Sequence, residues 1–129
     1  MAEVSMDSLE NVVRELSRSR SLVLSYLLKL KRCIDAGHQD LAQALAGRFS
    51  EATIDYLSYG HFRLFTELPP EPHEEATLSL ITDQALEFDA RHNQPKDLGL
   101  SSCQSDLEAL ALSLEVRFEI EDRILTAVT

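Results

Sequence analysis

The chain has 129 residues, 44% of them hydrophobic, and a formal net charge of −10. This size and composition predict one domain with a buried core over residues 1–129. The acidic charge argues against direct nucleic-acid binding. The sequence contains no apolar run of about 18 residues, so no membrane span is expected. The first residues lack a signal-peptide pattern, so we expect a cytoplasmic protein. The charge suits a basic protein partner or serves solubility alone.

The first predicted helix starts near Asp7, runs for about 28 residues and stops before Gly37. Asp7, with Glu10 three residues later, suits an N-terminal cap. The polar segment 17–21 is weakly helical, so we expect a bend or a break there. One apolar stripe follows the helix, comprising Leu9, Val12, Val13, Leu16, Val23, Tyr26, Leu27, Leu30 and Ile34. Four basic side chains lie off the stripe, on a solvated or partner-facing side: Arg14, Arg18, Lys29 and Arg32.

A second helix is predicted from about residue 39 to Leu68, where the proline-rich segment 69–72 ends it. Two apolar lines follow it, which is typical of the central helix of a bundle. Gly60 lies inside this helix at a cost of roughly 1 kcal/mol relative to alanine, so we expect another helix to pack closely against it. His61 shares an apolar line with Leu57, Leu64 and Phe65, and its side chain is therefore expected to point inward.

A third and a fourth helix complete the predicted fold. Pro72 suits the first turn of the third helix, residues 93–99 form a loop, and Ser105 with Glu108 forms a capping box that predicts the start of the fourth. The inner face of the third helix comprises Leu78, Ile81, Ala85, Phe88 and His92, and the stripe of the fourth comprises Leu107, Leu110, Leu114, Phe118, Leu125 and Val128. The predicted fold class is all-α, an antiparallel up-down four-helix bundle with a long first helix that can bend.

The sequence predicts no metal, no cofactor and no enzymatic activity. Di-iron bundles need Glu-x-x-His pairs and further carboxylates, whereas this chain has only two Asp-x-x-His segments, 35–38 and 89–92. It has no nucleophile elbow and no glycine-rich phosphate loop, so no catalytic residue is assigned. Cys33 and Cys103 are far apart in the sequence and are expected to be free thiols.

Polar residues of the second and fourth helices are expected to meet across the bundle. Arg117 and Glu121 share one face of the fourth helix because they are four residues apart. The full predicted cluster comprises Asp55, Tyr56, His61, Arg117, Glu121 and Asp122. It suits either of two roles. One is a hydrogen-bonded network that fixes helix register, since buried polar groups must be paired, and the other is a polar cavity or a partner contact.

Two other functional classes stay open at this point. The segment 60–63, Gly-His-Phe-Arg, is similar to the exposed histidine region of histidine phosphotransfer bundles, although an inward His61 argues against that role. The oligomeric state is also open, so a homodimeric helical adaptor is a second alternative.

Two segments resemble a known family, Rsd/AlgQ, the regulators of sigma D. Residues 54–65, IDYLSYGHFRLF, closely resemble the family signature VDYLSAGHF. Residues 114–125, LEVRFEIEDRIL, resemble the segment LEARFxLEDKLI of the family's last large helix. The first helix is similar in rhythm at Arg14, Leu16, Arg20, Leu22, Tyr26 and Leu30. The resemblance carries over a set of partner-binding or polar-cluster residues: Asp55, Tyr56, Gly60, His61, Phe62, Arg117, Phe118, Glu121 and Asp122.

What the resemblance implies is a helical bundle that acts as an anti-sigma transcription regulator. Members of the family bind the principal sigma factor of bacterial RNA polymerase at region 4, its C-terminal promoter-recognition domain, and so reduce its use by the polymerase. Region 4 is a basic helix-turn-helix module, so an acidic chain suits it. We expect the contact surface on the charged side of the first helix and on exposed parts of the second and fourth helices.

Overall fold

A computed structural model describes residues 6–93 and 99–128 of the chain. These residues form four α-helices and one π-helical turn, and no strand occurs among them. The helices are α1 (Met6–Asp35), α2 (Gln39–Tyr59), α3 (Pro72–His92) and α4 (Gly99–Val128), and the π-helical turn (Gly60–Leu64) directly follows α2. The predicted all-α class is confirmed. Most of the predicted loop between the last two helices, residues 94–98, lies outside the described residues.

Helix α1 is continuous through segment 17–21. The predicted break in that segment is therefore absent. The helix ends where expected. Gly37 has φ +75° and donates its N–H to the carbonyl of Ile34 over 3.0 Å, a left-handed end that glycine adopts without strain. The predicted cap by Asp7 lies outside the described side chains.

Helix α2 does not run unchanged to Leu68 as predicted. Its α-helical part ends at Tyr59, and the N–H of Phe65 then bonds to the carbonyl of Gly60, five residues back, over 2.9 Å. Such a bond marks a π-helical turn, which holds one residue more than an α-helical turn. A Cβ added to Gly60 would lie 2.5 Å from Nη2 of Arg117 in α4. The prediction that another helix packs closely on Gly60 is therefore confirmed.

The inner face of α3 is confirmed in full, because all of its predicted members are buried: Leu78, Ile81, Ala85, Phe88 and His92. At the start of α3, the carboxylate of Glu74 accepts a 2.9 Å hydrogen bond from the backbone N–H of Glu71 and pairs with Arg123 of α4. These interactions lower the pKa of Glu74, with the Glu71 bond as the larger cause. The pair Glu74–Arg123 thus joins α3 to α4.

Helix α4 begins at Gly99, six residues before the predicted capping box at Ser105. The box prediction is wrong because the apolar stripe extends further upstream, to buried Cys103, four residues before Leu107. Burial, and then the charge of Asp106, raises the pKa of the Cys103 thiol to about 11. Beyond Leu114 the buried positions are not the predicted ones, but Arg117, Ile120, Glu121 and Ile124.

The core lies between the helices, with α1 against α2, α2 against α3 and α3 against α4, and with further contacts of α4 to α1 and α2. Phe49 of α2 meets Phe88 of α3 edge to face, with ring centroids 5.4 Å apart, a favourable geometry for aromatic pairs. Cys33 and Cys103 are both free thiols. None of the helices in the described part of the chain is long and apolar enough to cross a membrane.

Candidate functional site

An arginine and a glutamate are paired inside the bundle, one turn apart on α4. The side chains of Arg117 and Glu121 are only 2% and 0% exposed, and Nε of Arg117 lies 3.1 Å from Oε2 of Glu121. Nη2 of Arg117 donates to the carbonyl of Leu57 over 3.1 Å. The guanidinium also lies 5.3 Å from the ring centre of Tyr56 and 5.1 Å from that of Phe65. Charge, hydrogen bonds and stacking therefore act together on this buried arginine.

The other oxygen of Glu121 connects α4 to α1 and α2. Oε1 accepts a hydrogen bond from the hydroxyl of Tyr56 and another, 2.8 Å long, from Nη2 of Arg20. Nη1 of Arg20 donates to Asp122 over 3.0 Å. We call this set the Arg117 cluster; it comprises Arg20, Tyr56, Arg117, Glu121 and Asp122. Because its members come from three helices, the cluster fixes how α1, α2 and α4 pack together.

The charges of the Arg117 cluster change how its members bind protons. Burial raises the pKa of Tyr56, and the negative charge of Glu121 raises it further, so the phenol keeps its proton and donates it in a hydrogen bond. Burial alone would lower the pKa of Arg20, but its hydrogen bonds to Glu121 and Asp122 raise that pKa above its ordinary value. The buried carboxylate is thus surrounded by donors that stay protonated.

The structure divides the signature residues of the sequence into a buried and an exposed set. The buried set comprises Tyr56, Gly60, Arg117 and Glu121, with Phe118 half-buried against Tyr56. The exposed set comprises Asp55, His61, Phe62 and Asp122, although Asp122 still binds Arg20. The predicted cluster is therefore correct for Tyr56, Arg117, Glu121 and Asp122, which the structure brings together.

Asp55 and His61 do not join the cluster, and the prediction that His61 points inward is wrong. Gly60 takes the buried position between Leu57 and Leu64, at three- and four-residue steps, and His61, the next residue, therefore lies outside the core. The His61 ring instead lies 4.8 Å from that of Phe62, which is 66% exposed. Because the His61 side chain is exposed, burial no longer argues against a phosphotransfer role for this histidine.

Arg20 is the cluster member that sequence reasoning from periodicity missed. It lies between Leu16 and Val23 at the four- and three-residue steps of the α1 stripe. A charged residue at a stripe position could have indicated a buried partner. The guanidinium of Arg20 lies over the Phe118 ring, with its central carbon 4.5 Å from the ring centre, so the arginine packs against an aromatic ring as well as forming ion pairs.

A second group of polar residues joins the end of α3 to α2 and α4. Nε2 of His92 lies 2.6 Å from Oδ2 of Asp106, and Nε of Arg91 lies 2.9 Å from the same oxygen. Ser50 of α2 donates to Asp89 over 2.7 Å. We call this group the His92 cluster; it comprises Ser50, Asp89, Arg91, His92, Asn93 and Asp106. Its carboxylates are hydrogen-bonded by protein groups and serve as structural links between helices.

A groove of about 550 Å³ lies between the second half of α2, the π-helical turn and α3. Its lining is mainly apolar, and Arg117 of α4 also lines it. Within residues 6–93 and 99–128, no group of three or more His, Cys, Asp or Glu side chains is placed to hold a metal ion. The groove thus combines an apolar lining with one guanidinium group, that of Arg117.

Comparisons with known proteins agree with the segments quoted above. The family model described as regulator of RNA polymerase sigma(70) subunit, Rsd/AlgQ, matches residues 2–129. Comparisons with curated proteins and with solved structures found no match. The family match includes every residue of the Arg117 cluster and nearly the whole chain. The chain therefore belongs to the Rsd/AlgQ family of regulators of the RNA polymerase sigma(70) subunit.

Proposed function

We propose that this protein binds the principal sigma factor of bacterial RNA polymerase through region 4 and so reduces its use by the polymerase. Membership of a family of sigma(70) regulators is the observation that carries the proposal. The mechanism is occlusion: while region 4 is held, it cannot contact the promoter −35 element or its site on the core enzyme. This action needs no catalytic residue and no cofactor, and it takes place in the cytoplasm, where the polymerase works.

The distribution of charge among the helices supports one side of the molecule as the contact surface. Helix α1 carries six basic and four acidic residues. Helices α3 and α4 together carry three basic and eleven acidic residues. A basic helix-turn-helix module is therefore attracted to the side of α3 and α4 more than to the charged side of α1, the surface expected from the sequence, because complementary potentials guide the encounter.

One exposed strip of α4 combines these acidic charges with apolar surface. Its residues recur at steps that place them on one side of a helix. We call it the α4 outer strip; it comprises Glu108, Leu112, Glu115, Val116 and Glu119, all exposed or largely exposed. Leu112, at 67% exposure, supplies apolar area between the carboxylates. Such a mixture suits an amphipathic basic helix, since apolar contact supplies affinity and rim charges supply orientation.

The signature residues then have two roles in this proposal. The buried set holds the helices in register, and the exposed residues Asp55, His61 and Phe62 are accessible for partner contact, as is the exposed part of Asp122, which also binds Arg20. The order of packing, α1 on α2 on α3 on α4, supports an antiparallel up-down arrangement within a single domain. The contact surface thus depends on the Arg117 cluster for its shape without including the buried part of that cluster.

The test is size-exclusion chromatography with light scattering, using the protein alone and with the host's principal sigma factor, at low and at moderate salt. We expect a complex of defined stoichiometry that raised salt weakens, because salt screens exposed charge pairs. The double variant Glu115→Lys/Glu119→Lys is expected to weaken the complex by about tenfold or more, on the scale of 1.4 kcal/mol per factor of ten.

The matched control is Glu10→Lys/Glu15→Lys on α1, which makes the same charge change at exposed positions of the basic helix. It is expected to bind the sigma factor like the unchanged protein. Absence of a complex at both salt concentrations would overturn the proposed function. A dimer that ignores sigma would favour the adaptor alternative, and an acid-labile phosphoryl group on His61 would favour the phosphotransfer alternative.

A further inference from the structure

The groove beside α3 has the size and lining of a small-molecule site. Its volume of about 550 Å³ falls in the range of roughly 300–1,000 Å³ that such pockets occupy. Its apolar lining includes Ile54, Leu57, Phe62, Phe65, Leu78 and Leu86. Phe62 and Leu86 are largely exposed at this groove, which leaves apolar area that a bound molecule would cover.

A guanidinium with unused donors lines the same groove. Arg117 makes its hydrogen bonds through Nε, to Glu121, and through Nη2, to Leu57. Nη1 makes none to any residue that the structure describes, although the side chain as a whole is buried. Nη1 is not among the buried side-chain atoms that lack a partner, and the guanidinium lines the groove, so an acceptor in the groove would form a charged hydrogen bond with it.

The balance of buried charge also favours an anion there. Two guanidinium groups, those of Arg20 and Arg117, share the buried carboxylate of Glu121. The second carboxylate near them, Asp122, is more than half exposed to solvent. The four charges of the cluster sum to zero, but only one of the two carboxylates, that of Glu121, is buried beside the guanidinium of Arg117. Glu75 at the groove is exposed, so solvent screens its repulsion of an anion.

We propose that this groove binds a small amphipathic carboxylate, with its apolar body along the α2–α3 lining and its carboxylate on the guanidinium of Arg117. A carboxylate matches the planar donor fork of arginine better than a hydroxyl does. The hydroxyls of Ser58 and Ser79 also line the groove and can donate to the same head group. This binding goes beyond the proposed function and does not depend on sigma binding.

The test compares two probes that share one apolar body, decanoate and decan-1-ol, by isothermal titration calorimetry on the full chain. Decanoate is expected to bind about tenfold more tightly than the alcohol, because only the carboxylate forms a charged hydrogen bond with Arg117. An Arg117→Met variant that circular dichroism shows to be helical is expected to lose this preference. Equal affinity of the unchanged protein for the two probes would overturn the proposal.

Two tryptophan variants of neighbouring α3 residues separate the groove from general surface binding. Ser79→Trp places a large side chain in the groove, and decanoate affinity is expected to fall by about tenfold or more. Leu80→Trp is the control, since Leu80 is exposed and does not line the groove, and its affinity is expected to stay within about twofold of the original. Equal affinities of the two variants for decanoate, or no binding of decanoate by the unchanged protein at millimolar concentration, would contradict the groove as the site.

Discussion

The Arg117 cluster and the His92 cluster contain the same kinds of side chain but differ in how deeply these side chains are buried. Arg117 and Glu121 are almost fully buried, and the cluster connects α1, α2 and α4. In the His92 cluster, by contrast, the shared carboxylate of Asp106 is 33% exposed and Arg91 is 43% exposed. The buried pair lies where the effective dielectric constant is low, so loss of one partner is costly, whereas water can replace a lost partner of Asp106.

The two clusters are expected to differ most in the stability that is lost when one charged side chain or ring is removed from each. Arg117→Met keeps a long side chain but removes two hydrogen bonds and one of the two arginine partners of Glu121, and we expect a loss of about 3 kcal/mol or more in the free energy of unfolding. His92→Leu leaves Asp106 with Arg91 and solvent, and we expect a loss of about 1 kcal/mol. Urea denaturation gives both free energies of unfolding. Equal losses would show that burial does not separate the two clusters.

Gly60 and Gly47 give a second comparison, in which the expected losses of stability are smaller. A Cβ at Gly60 would lie 2.5 Å from Nη2 of Arg117, and a Cβ at Gly47 would lie 2.7 Å from Oδ1 of Asn93. Arg117 cannot move away without losing its bond to Leu57, so Gly60→Ala is expected to cost about 1–2 kcal/mol net. Asn93 is at the partly exposed end of α3 and can turn away at the loss of one hydrogen bond, from its Nδ2 to Asp89, which the higher helix propensity of alanine offsets. Gly47→Ala is therefore expected to stay within about 0.5 kcal/mol of the original.

Thermal unfolding of the two alanine variants, measured in parallel under one buffer condition, checks this comparison. Gly60→Ala should melt at a lower temperature than the original protein, and Gly47→Ala at about the same temperature. An unchanged melting temperature for Gly60→Ala would mean that the guanidinium of Arg117 moves freely, in conflict with its packing between Tyr56 and Phe65.

The smallest expected effect is on stability at alkaline pH. The pKa of Tyr56 is raised above its ordinary value of 10.0 by burial and by Glu121. Above pH 10 the unfolded chain loses this proton while the folded chain keeps it, so this group's contribution to stability is complete below pH 10 and falls as the pH rises. The slope from one such group is about 1.4 kcal/mol per pH unit.

Tyr56→Phe is the variant that isolates this slope. It lacks the titrating phenol, so between pH 9 and pH 11 its stability is expected to fall less steeply than that of the original protein. Tyr26 and Tyr59 are present in both proteins, so their contributions to the pH dependence of stability cancel when the two slopes are subtracted. Identical slopes in chemical denaturation would contradict the raised pKa of Tyr56.

The parts of the fold that follow regular helical periodicity could be predicted from the sequence. The inner face of α3, from Leu78 to His92, is correct because apolar residues recur at helical steps after Pro72. The stop of α1 at Gly37 is correct because only local backbone chemistry decides it. Within the cluster, the pairing of Arg117 with Glu121 is correct because their spacing places them on one face.

The other features depend on contacts that local pattern does not reveal. Gly60 faces the core where Arg117, 57 positions away in the sequence, packs on it, and His61, the next residue, faces outward. In the sequence, nothing local distinguishes Arg20 from the other basic residues of α1, because its partner Glu121 lies on α4. The start of α4 is ambiguous, because Ser105 suits a cap and Gly99, with φ +80°, also suits a helix end.

The π-helical turn has a consequence for chain length. Because the N–H of Phe65 reaches back five residues to Gly60, deletion of exposed Arg63 would leave an ordinary α-helical turn and would preserve α2 before it. Deletion of one residue within α2 would instead turn every later side chain by about 100° around the helix axis. Relatives can therefore differ by one residue between Gly60 and Phe65 and keep the same core, and an alignment that forbids a gap there would assign the wrong partner to every residue that follows.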